Sequence, residues 1–156
     1  MALKEELASI VGLEDVSDDP ETLDTYSRDM SFTPPMKPRL VVKPGNVDEV
    51  KALVNWANQT AMPLVPVSSG PPHFRGDTVP SVPGAVMVDL SGMKRIFRID
   101  RRNRIAMIEA GVTYPELQPE LNRQGMRLSM PLLPRANKSV VASLLEREPI
   151  LIPRLQ

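Results

Sequence analysis

A helix-like segment between two short apolar runs constrains the fold of this chain more than any other feature. Residues 47–61 repeat apolar side chains at helical spacing, and Asn46 with Glu49 three residues later forms a capping box. The flanking runs Leu40–Val42 and Leu64–Val67 have the length and composition of strands. Because a strand–helix–strand connection is a right-handed crossover, the sequence predicts that the two runs are parallel neighbours with the helix packed across them. The predicted buried stripe of the helix consists of Val47, Val50, Leu53, Val54 and Ala57.

The rest of the chain predicts further short elements, and the element order indicates an α+β fold with mixed sheets. The expected elements are a helix at 2–11, an irregular lead-in at 14–38, a strand at 85–90, a hairpin of 95–100 and 104–110, and a helix at 114–124. In the lead-in, Tyr26 and Phe32 are expected to anchor the chain to the core. Thr113 is expected to cap the last helix, and Gly125 to end it.

Composition and charge exclude several classes of function. The 156 residues carry 19 Lys plus Arg and 19 Asp plus Glu, so no net field attracts nucleic acid or an anionic membrane. With no cysteine and one histidine, the chain has no disulfide and no support for a metal site. No apolar run reaches the roughly 18 residues of a membrane span. Because Glu5 and Glu6 stand where a signal peptide needs positive charge, we expect a cytoplasmic location.

The stretch after the second predicted strand is a candidate ligand site. Pro66, Val67, Ser68, Ser69 and Gly70 carry this strand into a loop of small residues. Such loops let peptide N–H groups approach a phosphate, and ligands of strand–helix–strand units bind beyond the carboxyl ends of the strands. The loop residues alone leave two interpretations, a phosphate-binding loop and a plain turn.

Four segments follow one another in a recognisable order. The first consists of Tyr26 and Asp29, followed by residues 38–44 and 49–50, and the second is the strand and loop 64–70. The third is the run 86–93 (Val-Met-Val-Asp-Leu-Ser-Gly-Met), which is followed by Ile96. The fourth is 109–112 (Glu-Ala-Gly-Val), which is followed by Leu117. In this order they resemble the N-terminal FAD-binding domain of the vanillyl-alcohol oxidase / para-cresol methylhydroxylase superfamily, over roughly residues 26–145. Glycolate oxidase subunits and D-lactate dehydrogenases are members. The resemblance implies non-covalent FAD and a flavin-dependent oxidoreductase acting on a 2-hydroxy acid or a related alcohol, with catalytic groups outside this chain.

The two loops that approach the flavin in this superfamily are altered here. The first usually reads Pro-Arg-Gly-Gly-Gly-Thr, whereas this chain has serines in place of two glycines and Pro71, which has no amide donor. The second usually reads Ser-Val-Gly-Gly, whereas residues 139–143 read Ser-Val-Val-Ala-Ser. By resemblance, the cofactor lies between the loops and contacts Pro66, Val67, Ser68, Ser69, Gly70, Pro131, Ser139, Val140 and Ser143. The alterations predict weak FAD binding and keep open a non-catalytic scaffold or partner-binding module that lost the cofactor.

The single histidine and the remaining cationic residues are predicted to have structural and not catalytic roles. His73 is expected to be a partly exposed loop histidine and not a flavin linkage, because Pro71 occupies the position of the linking histidine. No Gly-x-Ser-x-Gly elbow supports a hydrolase built on His73. Arg135 and Lys138 are interpreted as surface charges on a proline-stiffened loop. The basic cluster, expected to form a solvated face, comprises Lys94, Arg95, Arg98, Arg101, Arg102 and Arg104.

The resemblance also divides the chain. Residues 1–38 form a lead-in, 39–145 the first part of an FAD-binding domain, and 146–156 a tail toward a downstream region. The domain is expected to be incomplete, so the chain is either a truncated piece or one component of a split enzyme with a partner subunit. A small-molecule substrate would then bind in the complete enzyme.

Overall fold

A computed structural model describes residues 3–73, 78–131 and 135–147 of the chain. Its helices are α1 (Leu3–Val11), α2 (Pro20–Thr25), α3 (Val47–Thr60), α4 (Tyr114–Arg123) and α5 (Val140–Leu145). Its strands are β1 (Val16–Ser17), β2 (Leu40–Val42), β3 (Leu64–Val67), β4 (Val86–Asp89), β5 (Ile96–Asp100) and β6 (Ile105–Ile108). The mixture of parallel and antiparallel pairing confirms the predicted α+β class with mixed sheets.

Four strands form the main sheet in the order β1-β2-β4-β3. Leu40 of β2 and Leu64 of β3 both lie opposite Val86 of β4, and both pairings are parallel. The prediction that β2 and β3 are direct neighbours is therefore wrong, although the two strands do run parallel. All four residues of β4 are buried, as expected of a central strand. Strand β3 carries an exposed proline, which is suited to the edge of a sheet.

Helix α3 begins and packs much as its sequence predicts. The Asn46 side chain accepts hydrogen bonds from the amides of Asp48 and Glu49, which completes the expected cap. Leu53 is fully buried against the sheet. Val47 and Val54 are 45% and 46% exposed, so the predicted stripe was too wide. The contact is narrow because α3 shares this face of the sheet with α1.

The lead-in is more ordered than expected, since it contains β1 and α2. The Asp19 side chain caps α2 by accepting a hydrogen bond of 2.8 Å from the Thr22 amide. Tyr26 is buried against β2 and β4, as expected of an anchor. Phe32 is fully exposed, so its expected anchoring role is wrong.

A second, smaller core joins the β5–β6 hairpin to α4 and α5. Leu117 and Leu121 of α4 pack with Val140 of α5 and with the inner face of the hairpin. The two cores meet where Gly111 passes the main sheet, because a Cβ at this glycine would lie 2.5 Å from the carbonyl oxygens of Leu90 and Ser91. Only glycine permits so close an approach of two backbones.

Candidate crevice between two loops

The loop after β3 is hydrogen-bonded to the segment before α5. The hydroxyls of Ser68 and Ser139 are 2.8 Å apart, and the Ser139 amide donates to the Ser69 hydroxyl at 3.0 Å. The Gly70 amide donates to the Asn137 carbonyl, also at 3.0 Å. The two segments that the sequence assigned to one crevice therefore touch, and the two serines that replace glycines form part of the contact.

The second segment is the start of a helix, whereas its sequence predicted a loop. Ser139 caps α5 by accepting a hydrogen bond of 3.0 Å from the Ala142 amide. The Val140 amide donates to the Val112 carbonyl at 2.9 Å, and the Tyr114 hydroxyl donates to the Ser143 hydroxyl at 3.1 Å. Helix α5 is thereby held against the start of α4.

A cavity of about 180 Å³ opens beside this contact. Its walls are formed by Pro66, Val67, Ser68, Ser69, His73, Thr78, Arg135, Lys138, Ala142, Leu145 and Glu146. Arg135 donates to the Pro72 carbonyl at 2.9 Å, and Lys138 forms a short ion pair with Glu146. Two cations and one carboxylate leave the wall with one net positive charge.

Lys138 and His73 are more deeply buried than the sequence predicted. The Lys138 side chain is only 3% exposed because α5 brings Glu146 over it, so it is not a surface charge. His73 is 5% exposed, and its ring centre lies 5.3 Å from that of Tyr26, so it is not a partly exposed loop residue. The Tyr26 hydroxyl donates to the buried carboxylate of Asp89 at 2.7 Å. Burial, followed by this hydrogen bond, raises the pKa of Tyr26 well above its usual range.

The predicted contact residues fall into four groups. Pro66, Val67, Ser68 and Ser69 line the 180 Å³ cavity, and Ser139 lies directly behind the two serines. Gly70 lines a separate cavity of about 400 Å³ on the other side of the loop, where an added Cβ would lie 3.5 Å from that of Asn137. Val140 and Ser143 are buried toward α4. Pro131 is buried and precedes residues 132–134, which lie outside the described residues.

Some wall residues were missed because their role depends on α5. Ala142, Leu145 and Glu146 line the cavity. The sequence does contain a signal for this helix. Ser139 stands in a capping position and is followed by an apolar run that includes Leu144 and Leu145.

Comparison with known proteins identifies the class to which this arrangement belongs. Residues 38–145 match the family described as FAD binding domain. The match spans well over half of the chain, so the chain belongs to this family and FAD is the cofactor that the family binds.

Individual relatives agree with this membership. The chain is 31% identical over 127 residues to D-2-hydroxyglutarate dehydrogenase from Stutzerimonas stutzeri, covering 80% of this chain and 26% of that protein. It is 34% identical over 108 residues to 1'-carboxy-chondrochloren decarboxylase from Chondromyces crocatus, covering 69% and 20%. The solved structure of p-cresol methylhydroxylase with substrate bound superimposes with a TM-score of 0.79 at 22% identity, over 93% of this chain and 29% of that one. The chain thus spans between a fifth and a third of the length of these proteins.

Residues 3–73, 78–131 and 135–147 offer neither a metal site nor a membrane span. Within these ranges, no three His, Cys, Asp or Glu side chains cluster closely enough to hold a metal ion. Nor does any helix there combine the length and the apolar character that crossing a bilayer requires.

Proposed function

We propose that the 180 Å³ cavity holds the diphosphate of a non-covalent FAD, and that the chain is the FAD-binding portion of a flavin-dependent oxidoreductase. The observation that carries this proposal is the set of donors around the cavity. Ser68 and Ser69, which carry hydroxyls, line it together with the cations Arg135 and Lys138. Charge-assisted donors of this kind bind phosphate oxygens strongly.

The size of the cavity fits part of the cofactor. Complete ligand sites usually measure about 300–1,000 Å³. A volume of about 180 Å³ suits a diphosphate and leaves the flavin and the adenine to the rest of the crevice and to a longer polypeptide. When bound, the flavin supplies a two-electron acceptor. The residues of this chain orient the cofactor and exclude water from its phosphates.

The substrate proposal comes from the relatives. One of them is named for its action on D-2-hydroxyglutarate, and another is a D-lactate dehydrogenase from Archaeoglobus fulgidus, 34% identical over 119 residues. Both names describe 2-hydroxy acids. We therefore propose a 2-hydroxy acid or a related alcohol as the substrate of the complete enzyme. A cytoplasmic location and a partner subunit remain predictions from the sequence.

One observation favours the alternative of a scaffold or partner-binding module. The Gly70 amide already donates to the Asn137 carbonyl, and the next two residues are prolines, which have no amide hydrogen. A diphosphate at this loop would have to displace an internal hydrogen bond or rely on hydroxyls and cations alone. The expected FAD affinity of the isolated chain is consequently low.

Titration of the purified chain with FAD, followed by calorimetry and by flavin absorbance, tests the cofactor proposal. We expect saturable binding with a Kd above about 1 μM, equivalent to about −8 kcal/mol. Ser69→Ala should weaken it, whereas Ser9→Ala, on the remote helix α1, should not. No binding at millimolar FAD would support the scaffold alternative, and submicromolar binding would contradict the argument from the occupied amide.

The substrate proposal requires the longest natural polypeptide that contains this chain. Anaerobic mixing of its flavin-loaded form with D-lactate or D-2-hydroxyglutarate should bleach the flavin band. Phenols such as p-cresol form the comparison set. Bleaching by phenols alone would refute the 2-hydroxy acid proposal and leave the cofactor proposal intact.

A further inference from the structure

A groove at the carboxyl end of α4 has the features of a binding site unrelated to the cavity described above. Its volume is about 500 Å³, within the range of about 300–1,000 Å³ usual for ligand sites. The floor is aliphatic and includes Leu117 and Leu121, which belong to the second core. Three arginines stand at the rim: Arg101, Arg104 and Arg127. We call this site the arginine groove.

Within the described part of the chain, the rim charges have no carboxylate partner. The acids closest to them in sequence are engaged elsewhere, since Asp100 pairs with Arg98 and Glu120 with Arg123. Among the described residues, no carboxylate oxygen lies within 4.0 Å of a guanidinium of Arg101, Arg104 or Arg127. All six residues of the basic cluster are exposed, as expected of a solvated face, and three of them, Lys94, Arg95 and Arg98, pair with carboxylates.

The end of α4 does not account for three positive charges. A helix carboxyl terminus carries roughly half a negative charge and attracts one cation in its last turn. Arg123 is the basic residue of this last turn. The Arg101 guanidinium lies just beyond the helix end, where a Cβ added at Gly125 would be 3.8 Å from Nη2. Arg104 and Arg127 add two further charges beside an aliphatic floor.

We propose that the arginine groove binds an amphiphilic anion, which has one phosphate or carboxylate head and an unbranched alkyl tail. Guanidinium groups bind such heads through paired N–H donors. The tail would cover the floor between the hairpin and α4, where Ile105 is 57% exposed at the edge of the groove. A purely polar anion would leave this apolar surface in water.

The groove lies apart from the two-loop crevice. Helix α4 has 10 residues and is thus about 15 Å long, with Thr113 beside the crevice at its start and the groove at its end. Binding in the groove consequently requires neither FAD nor the proposed oxidoreductase activity.

Isothermal titration of the 156-residue chain with octyl phosphate tests the proposal. Inorganic phosphate and octanol serve as comparisons that lack the tail or the head. We expect octyl phosphate to bind at least about tenfold more tightly than inorganic phosphate, because burying two methylenes of the tail already suffices for a gain of that size. Equal affinity for the two phosphates, or no heat at millimolar octyl phosphate, would overturn the proposal.

Substitutions at the exposed rim locate the binding. Arg127→Gln and Arg101→Gln should each weaken octyl phosphate binding at least about fivefold, since each removes one charge-assisted contact. The matched control is Arg102→Gln, which removes the same charge from the same hairpin tip but does not line the groove. An equal loss in this control would show a diffuse charge effect and refute the site. Circular dichroism verifies that each variant is folded.

Vesicles distinguish the two sources of such an anion. If the natural ligand is a membrane lipid, phosphatidylglycerol vesicles should sediment the chain, and octyl phosphate should release it. If the ligand is a free molecule, octyl phosphate binds and vesicles do not. Vesicle binding that is insensitive to octyl phosphate and unchanged in Arg127→Gln would overturn the arginine groove as the site.

Discussion

Replacing Gly111 by alanine should be among the most damaging single-methyl changes in this chain. The added Cβ would lie 2.5 Å from the carbonyl oxygens of Leu90 and Ser91 and 2.7 Å from the Ser91 carbonyl carbon. Non-bonded heavy atoms prefer separations of about 3.5 Å or more, so a backbone must move by roughly 1 Å. The atoms in the way belong to the main chain and have no rotamer to change.

The cost can be placed at the upper end of the usual penalty for overpacking, about 3 kcal/mol. A shift there also disturbs two hydrogen bonds of 2.9 Å, from the Gly111 amide to the Met93 carbonyl and from the Ser91 amide to Asp89. With a urea m-value of about 2 kcal/mol/M, the unfolding midpoint should fall by about 1.5 M.

Gly92→Ala is the matched control for this measurement. Nothing lies within 4 Å of a Cβ at Gly92, and its backbone is not in the left-handed region. The control should be neutral or up to about 1 kcal/mol more stable, because alanine reduces the entropy of the unfolded chain. Urea midpoints for the two variants that agree within about 0.3 M would refute the argument from close backbone approach.

Three further predictions concern single groups. Since burial and the bond to Asp89 raise the pKa of Tyr26, the unfolded state loses this proton first. The free energy of unfolding should therefore decrease above about pH 10, as measured by urea melts at a series of pH values. The Tyr26→Phe variant, which lacks the titrating hydroxyl, should not show this decrease. The Asp100 carboxyl should titrate with a pKa of about 2 by NMR, and Asn103→Ala should raise that pKa, because the Asn103 side chain is the main cause of the shift. Ala142→Phe should remove flavin from the complete protein without changing its circular dichroism, because Ala142 lines the 180 Å³ cavity proposed for the diphosphate; a full flavin complement would contradict the proposed cofactor position.

Local signals in the sequence predicted the helices with strong caps. Asn46 and Glu49 defined the start of α3, and Thr113 the start of α4, because each cap is formed by residues within one turn of the helix. The capping box at Thr113 is complete, with Glu116 bonded to both the amide and the hydroxyl. Such contacts depend only on spacing along the chain.

Strand adjacency could not be predicted in the same way. The handedness rule for a strand–helix–strand unit gives the relative direction of β2 and β3, and both do run parallel. The rule does not say whether another strand lies between them. The chain from β3 to β4 includes residues 68–85, which is long enough for β4 to return to the centre.

The burial of Lys138 could not be predicted from the sequence for a related reason. Its partner Glu146 is eight residues away, and the two meet only because α5 forms between them. The segment contains two adjacent valines, which favour strand over helix and weaken the helical signal. The sequence therefore suggested a loop with surface charges where the structure has a short helix and a buried ion pair.

The serines that replace glycines in the first loop connect it to the second loop. Serine in place of glycine restricts the backbone, and by itself this change argues against close approach to a phosphate. In the fold, however, the hydroxyls of Ser68 and Ser69 both bond to Ser139, which caps α5. Contacts among its own side chains thus hold the crevice together, and groups restrained in this way lose less conformational freedom on binding. Because the Gly70 amide is engaged and residues 71 and 72 are prolines, this crevice favours recognition of the diphosphate by hydroxyls and cations. Substitutions of Lys138 and Arg135 should therefore weaken FAD binding most strongly.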